Sequence, residues 1–139
     1  MRERLPMRNG LIAALFTVVL ALPAAAQEEP IRATIRSQIE AFQADDFARA
    51  FTFASPTIKG MFGTPEVFGQ MVRQGYPMVH RPAQTRMMAL REVAGTLWQR
   101  VLITDAEGRG HMLDYQMLET PEGWRINAVH YVAQADLGA

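Results

Sequence analysis

The chain has 139 residues, 49% of them hydrophobic, with 14 basic side chains against 14 acidic ones and no cysteine. The apolar content excludes an intrinsically disordered chain, and the charge balance excludes a strongly basic nucleic-acid binder or an acidic tail protein. Without cysteine there is no disulfide framework, thiol nucleophile, thiolate zinc site or iron–sulfur centre.

The first 26 residues read as a secretory signal peptide. Arg2, Arg4 and Arg8 form a positive start, Leu11 to Leu22 is a nearly unbroken apolar run, and Pro23-Ala24-Ala25-Ala26 supplies small residues before Gln27-Glu28-Glu29. Cleavage is expected after Ala26, giving an exported protein, periplasmic or secreted, with no membrane association afterwards. The run is shorter than the roughly 20 residues a spanning helix needs. Met7 is an alternative start, since Arg8 still provides the positive end. Residues 27–139 then form one domain with 11 basic and 13 acidic side chains. Lys59 is its single lysine and the cations are scattered, so no nucleic-acid partner is expected.

Three helices are predicted first. Pro30 suits a first helical turn, and Ile31, Ile35, Ile39 and Phe42 follow on one stripe, leaving Arg32, Arg36 and Glu40 toward water. Asp45 or Asp46 caps a short second helix carrying Phe47, Ala50, Phe51 and Ala54 on one side, which Ser55-Pro56 ends. Thr64-Pro65-Glu66 opens a third helix that buries Val67, Phe68, Met71 and Val72 and closes at Gly75.

Strand-like runs follow at Thr85 to Val93, Thr96 to Thr104, Gly110 to Leu118 and Trp124 to Val132. Asp105 to Arg109 fits a three-residue hairpin with Gly108 in the left-handed position, and Thr120-Pro121-Glu122-Gly123 fits a four-residue turn. Helices followed by an antiparallel meander make the fold class α+β.

Antiparallel partners keep a constant index sum, so pairing Glu119 with Trp124 pairs Met117 with Ile126, Tyr115 with Ala128 and Leu113 with His130. One face then reads His111, Leu113, Tyr115, Met117, Trp124, Ile126, Ala128 and His130, and should meet the helices. The other face carries Asp114, Gln116, Arg125 and Asn127, with Arg100 across from Asp114 as a cross-strand ion pair.

Three stretches carry a resemblance. Phe42-Gln43-Ala44-Asp45-Asp46-Phe47-Ala48-Arg49-Ala50-Phe51 with Ala54-Ser55-Pro56, then Phe68-Gly69-Gln70-Met71-Val72-Arg73-Gln74-Gly75-Tyr76-Pro77, and finally Gly123-Trp124-Arg125-Ile126 resemble the bacterial domain of unknown function 4864 family over about residues 30–133. That family is similar in layout to the nuclear-transport-factor-two-like, ketosteroid-isomerase-like superfamily. The resemblance implies three helices packed on a curved antiparallel sheet of about four strands wrapped into a cone. It names no activity, because the superfamily contains isomerases, dehydratases and cyclases as well as binding and dimerisation modules.

The expected register puts His111, Tyr115 and His130 on the inner face, within reach of one another for long side chains. Two readings stand side by side. In one, His130 is a general base, Tyr115 an oxyanion donor and His111 an orienting partner in an isomerase- or dehydratase-like site. In the other, these residues are polar trim in a non-catalytic cavity, where Tyr115, Trp124, Ala128, His111 and His130 contact a small apolar or amphipathic ligand. The second, a binding or interaction module without cofactor, is the expected function. Two histidines with no third inner-face ligand do not make a metal site. Ser55 lacks a glycine-flanked elbow and reads as a helix stop. A third reading is structural, with Val129, Tyr131 and Leu118 beside Arg125 and Asn127 on the outer face pairing with a second copy.

Overall fold

Ile31, Ile35, Ile39 and Phe42 keep the predicted spacing and are all buried along α1 (Ala24–Gln43). The structure, a computed structural model, describes residues 13–15 and 24–133. The signal-peptide reading and the choice of start therefore fall almost wholly outside the described residues. Helix α1 starts before Pro30, which lies inside it rather than in its first turn. Arg32 does not face water. Its guanidinium donates to the Met88 carbonyl at 3.0 Å and to Gln99 Oε1 at 3.3 Å, while Arg36 and Glu40 remain exposed.

Four shorter helices follow: α2 (Phe47–Thr52), α3 (Pro56–Phe62), α4 (Pro65–Gly75) and α5 (Pro77–His80). Three were expected in all, and the difference begins at Ser55-Pro56. Ser55 Oγ accepts the Ile58 amide at 3.2 Å and Pro56 occupies the first turn, so this pair opens α3 instead of only ending α2. Asp46 caps α2 through the Arg49 amide and Thr64 caps α4 through the Val67 amide. In α4, Phe68 and Val72 are buried but Val67 is not, because the stripe is centred on Gly69. A β-carbon there would lie 2.6 Å from the Phe47 ring, so α2 and α4 touch through a residue without a side chain.

The sheet is an antiparallel meander in the order β1 (Gln84–Val93), β2 (Thr96–Thr104), β3 (Gly110–Thr120), β4 (Gly123–Tyr131). Ala94 and Gly95, both with positive φ, make the two-residue turn between β1 and β2. The β2–β3 hairpin has the expected form: Asp105 and Arg109 close it, Gly108 has φ 83°, and Arg100 pairs with Asp114. Thr120 and Gly123 close the last turn.

Two bulges interrupt the ladders. Between β1 and β2 the register shifts between Met87 and Leu90, turning the Met88 carbonyl toward Arg32 and the buried Gln99 amide. Between β3 and β4, Met117 still pairs with Ile126, but Gln116 pairs with Ala128, leaving Asn127 unpaired. Beyond it every expected partner moves by one: Tyr115 faces Val129, Asp114 faces His130 and Leu113 faces Tyr131. A one-residue shift exchanges the faces. Val129 and Tyr131 therefore join the helix-facing side, Val129 packing on the core and Tyr131 stacking on Tyr76 at 5.1 Å, while His130 goes to the opposite side.

The helices pack on one face of this open sheet. All its fully buried residues, Gln99, Val101, Ile103, Leu113, Tyr115, Met117 and Ile126, project toward them. The other face carries Arg91, Trp98, Arg100, Asp114, Leu118, Arg125 and His130, none of them buried, so the expected dimer patch lacks Val129 and Tyr131. Among the described residues no helix is long and apolar enough to cross a membrane.

Candidate functional site: a cavity between the helices and the sheet

Five of the helical segments' aromatic rings meet around Phe68. Phe51 lies 5.2 Å away, Phe42 5.7 Å and Phe62 5.8 Å between ring centroids, with Phe47 behind Phe42 at 6.0 Å. A cavity of about 290 Å³ remains between these rings and β3–β4. Phe42 and Gln38 of α1, Ile58, Met61 and Phe62 of α3, and Phe68, Met71 and Val72 of α4 form its helical side. Tyr115 and the β4 residues from Ile126 to His130 form the sheet side, with Tyr76 and Val79 between them.

Helix α3 is the thinnest part of this wall. None of its residues is buried, and Met61 is 68% exposed. It is anchored at its start, where Ser55 and the preceding chain run alongside β4. The Ser55 amide donates to the Ile126 carbonyl at 2.8 Å, and the Ile126 amide donates to the Phe53 carbonyl at 2.9 Å.

Among the described residues, no Asp, Glu, Lys or Arg lines the cavity. Of the polar groups that do, the Gln38 amide donates to the Ala50 carbonyl at 3.2 Å and the Tyr76 hydroxyl to the Val129 carbonyl at 2.9 Å. Asn127 is held between Ser55 and Gln116. Tyr115 differs. It is fully buried, it lines the cavity from the middle of β3, and its hydroxyl has no hydrogen-bond partner among the described residues. Burial, with a smaller contribution from Tyr76, pushes its ionisation well above the ordinary tyrosine range, so the phenol stays neutral.

The expected trio does not assemble. His130, though among the residues lining the cavity, is exposed and belongs to the outer side of β4, where its ring lies 5.2 Å from Trp98. His111 does sit on the helix-facing side of β3, but its Nε2 is 2.8 Å from Asp105 Oδ2 in the hairpin turn, and it does not line the cavity. Four residues along one strand separate it from Tyr115 by roughly 13 Å. That contact, ahead of the Arg109 and Glu107 backbone amides, holds the Asp105 carboxyl below the usual carboxylate range. Trp124 lines a separate, more polar concavity with Gln27, Leu97, Met117 and Glu119. Ala128 and Tyr115, like His130, are among the residues that line the apolar cavity.

The third histidine forms a different cluster. His80 Nε2 lies 2.7 Å from Asp45 Oδ1, and Arg81 grips the same carboxylate with two contacts of 2.9 Å while donating to the Phe42 and Gln43 carbonyls at the end of α1. His80 foremost, then Arg81, lower the Asp45 carboxyl. This is a helix-end clamp, with Asp45 at φ 55°.

A signal for the bulge was present in the sequence. Apolar residues alternate through Trp124 and Ile126, then resume out of phase at Val129 and Tyr131. The role of Gln38 and of the Phe68 cluster had no local signal, since both depend on which helix faces cross.

A family model described as Domain of unknown function (DUF4864) matches residues 24–139. No curated protein and no solved structure matches the chain.

Proposed function

The chain belongs to the family described as Domain of unknown function (DUF4864), and from that premise we propose that it is a non-catalytic module binding a small apolar or amphipathic molecule in the cavity between α3, α4 and the sheet. The observation that carries this reading is the combination of an apolar cavity of about 290 Å³ with a fully buried lining residue, Tyr115, whose hydroxyl has no hydrogen-bond partner among the described residues. Apolar cavities with a few fixed polar groups are the usual form of small-molecule sites. A buried hydroxyl without a partner costs stability that a bound acceptor restores.

The isomerase- or dehydratase-like alternative has less support: His130 borders the cavity, but its ring lies against Trp98 and His111 is not in the lining. Kinship with the nuclear-transport-factor-two-like superfamily is supported by the order of helices before meander and by Gly123-Trp124-Arg125-Ile126 on the last strand. Export through residues 1–26 is supported by their charge and hydropathy pattern alone.

The test is native mass spectrometry of the protein purified from the cells that make it, with N-terminal sequencing of the same sample. A recurrent added small-molecule mass, absent from a Met71→Trp variant that fills the cavity, is the expected result. Protein that carries no added mass and whose melting temperature is unmoved by lipid extracts overturns the binding reading. An N-terminus at Gln27 supports export, and one at Met1 or Met7 opposes it.

A further inference from the structure

The composition of the cavity wall restricts the ligand beyond its mere presence. A charged ligand buried there would find no counter-charge, since among the described residues the wall contains no Asp, Glu, Lys or Arg, and an unpaired buried charge is far more costly than an unpaired hydroxyl. A pure hydrocarbon would leave Tyr115 as it is, still without a partner. Of the other polar groups, the Tyr76 hydroxyl and the Gln38 and Asn127 side chains already hold protein partners, and His130 is exposed with its ring against Trp98. The buried polar demand is therefore concentrated at one point, at a neutral phenol.

Size gives a second restriction. A cavity of roughly 150 Å³ holds a benzene ring, so about 290 Å³ accommodates on the order of ten to fifteen non-hydrogen atoms. Met61 and Met71 in the wall change rotamer at little cost and let the outline adapt.

Resting on the binding reading above, we infer that the ligand class is a neutral lipophilic alcohol, phenol or ketone, its one oxygen hydrogen-bonded to the Tyr115 hydroxyl and its hydrocarbon body against Phe62, Phe68 and Met71. Selectivity arises from that single bond. The oxygenated molecule gains it, the parent hydrocarbon does not, and the carboxylate pays for desolvation without a partner.

Three probes of one shape separate the outcomes: naphthalene, 2-naphthol and 2-naphthoate, titrated into the full-length protein at pH 7 by calorimetry. The expected order is 2-naphthol tightest, naphthalene about tenfold weaker, and 2-naphthoate without measurable binding. In Tyr115→Phe the naphthol advantage over naphthalene falls to within about twofold, while naphthalene itself still binds, which shows that the variant keeps its fold and cavity. Binding of naphthalene and 2-naphthol with equal affinity to the unaltered protein overturns the ligand class but leaves the cavity as a binding site. So does preference for 2-naphthoate. Failure of all three probes, with no effect of Met71→Trp, overturns the binding reading itself.

Discussion

Ser55 donates its hydroxyl hydrogen to the Asn127 amide oxygen at 2.7 Å, tying the start of α3 to the one residue of β4 that has no partner across the ladder. Asn127 in turn donates to Gln116 Oε1 at 3.0 Å, and the fully buried Ser55 oxygen also accepts the Ile58 amide. The bulge is thus fixed from both sides. It decides which face of β4 each later residue occupies, and so which residues reach the cavity.

Removing the tie leaves Asn127 Oδ1 and the Ile58 amide each one bond short. Ser55→Ala is expected to destabilise the protein by about 1–3 kcal/mol, read as a lower urea midpoint with an unchanged slope. Deletion of Asn127 removes the extra residue itself, so plain alternation returns with Gln116 still opposite Ala128, Val129 and Tyr131 still inward and His130 still outward. Retention of the Tyr76–Tyr131 stacking in its aromatic NMR spectrum is expected, and its loss would show that the later pairs depend on the bulge.

Gly69 is a second point of close approach. Gly69→Ala places a methyl group 2.6 Å from the Phe47 ring, and overpacking of this kind costs roughly 1–3 kcal/mol. Phe47→Leu in the same chain should recover part of the loss, giving a favourable coupling in a double-mutant cycle of thermal midpoints. Purely additive effects would show that α2 and α4 adjust independently.

The turn between β1 and β2 carries removable strain. Ala94 has φ 51° and Gly95 has φ 80°, the pairing of a type I′ turn, where Asn or Gly is favoured at the first position. Ala94→Asn is expected to stabilise the protein by about 0.5–1 kcal/mol. A higher urea midpoint is the readout.

Asp114 sets the acid limb of stability on the outer face. It accepts two bonds of 3.0 Å from Arg100 and one of 2.7 Å from Arg91. Burial alone would raise its carboxyl, but the Arg100 hydrogen bonds and the charges of Arg91 and Arg100 together outweigh it and hold it below the usual range. Its folded ionisation lies below its unfolded one, so the unfolded chain takes up the proton first on acidification. The contribution is complete above about pH 4 and is lost as pH falls through the lowered folded value. Asp114→Asn should weaken stability at pH 7 by roughly 1–3 kcal/mol and flatten the decline between pH 5 and pH 3. A parallel decline in both proteins would exclude Asp114 as its source.

Tyr115→Phe removes a buried hydroxyl that has no partner among the described residues. Unlike most core substitutions, it is expected to stabilise the ligand-free protein by about 1–2 kcal/mol. A fall in melting temperature would mean that the hydroxyl is served by trapped water, which the variant strands.

The amino-acid sequence by itself determined three of the five helices, the four strands and the family. The Ile31–Phe42 stripe, the caps at Asp46 and Thr64, the hairpin at Gly108 and the Arg100–Asp114 pair are all local or near-local features, governed by spacing of three to four residues or by turn geometry. Most of the strand limits were legible for the same reason. What only the tertiary structure decided is the composition of the site. One unpaired residue, Asn127, held by a side chain 72 positions earlier, shifts β4 by one and sends His130 to Trp98 rather than to Tyr115. Ser55 could not show this role from its neighbours, which mark only a helix boundary. Nor could local pattern reveal that Gln38, Phe68 and Tyr115 border one cavity, because that follows from helices and strands crossing at angles that no periodicity encodes.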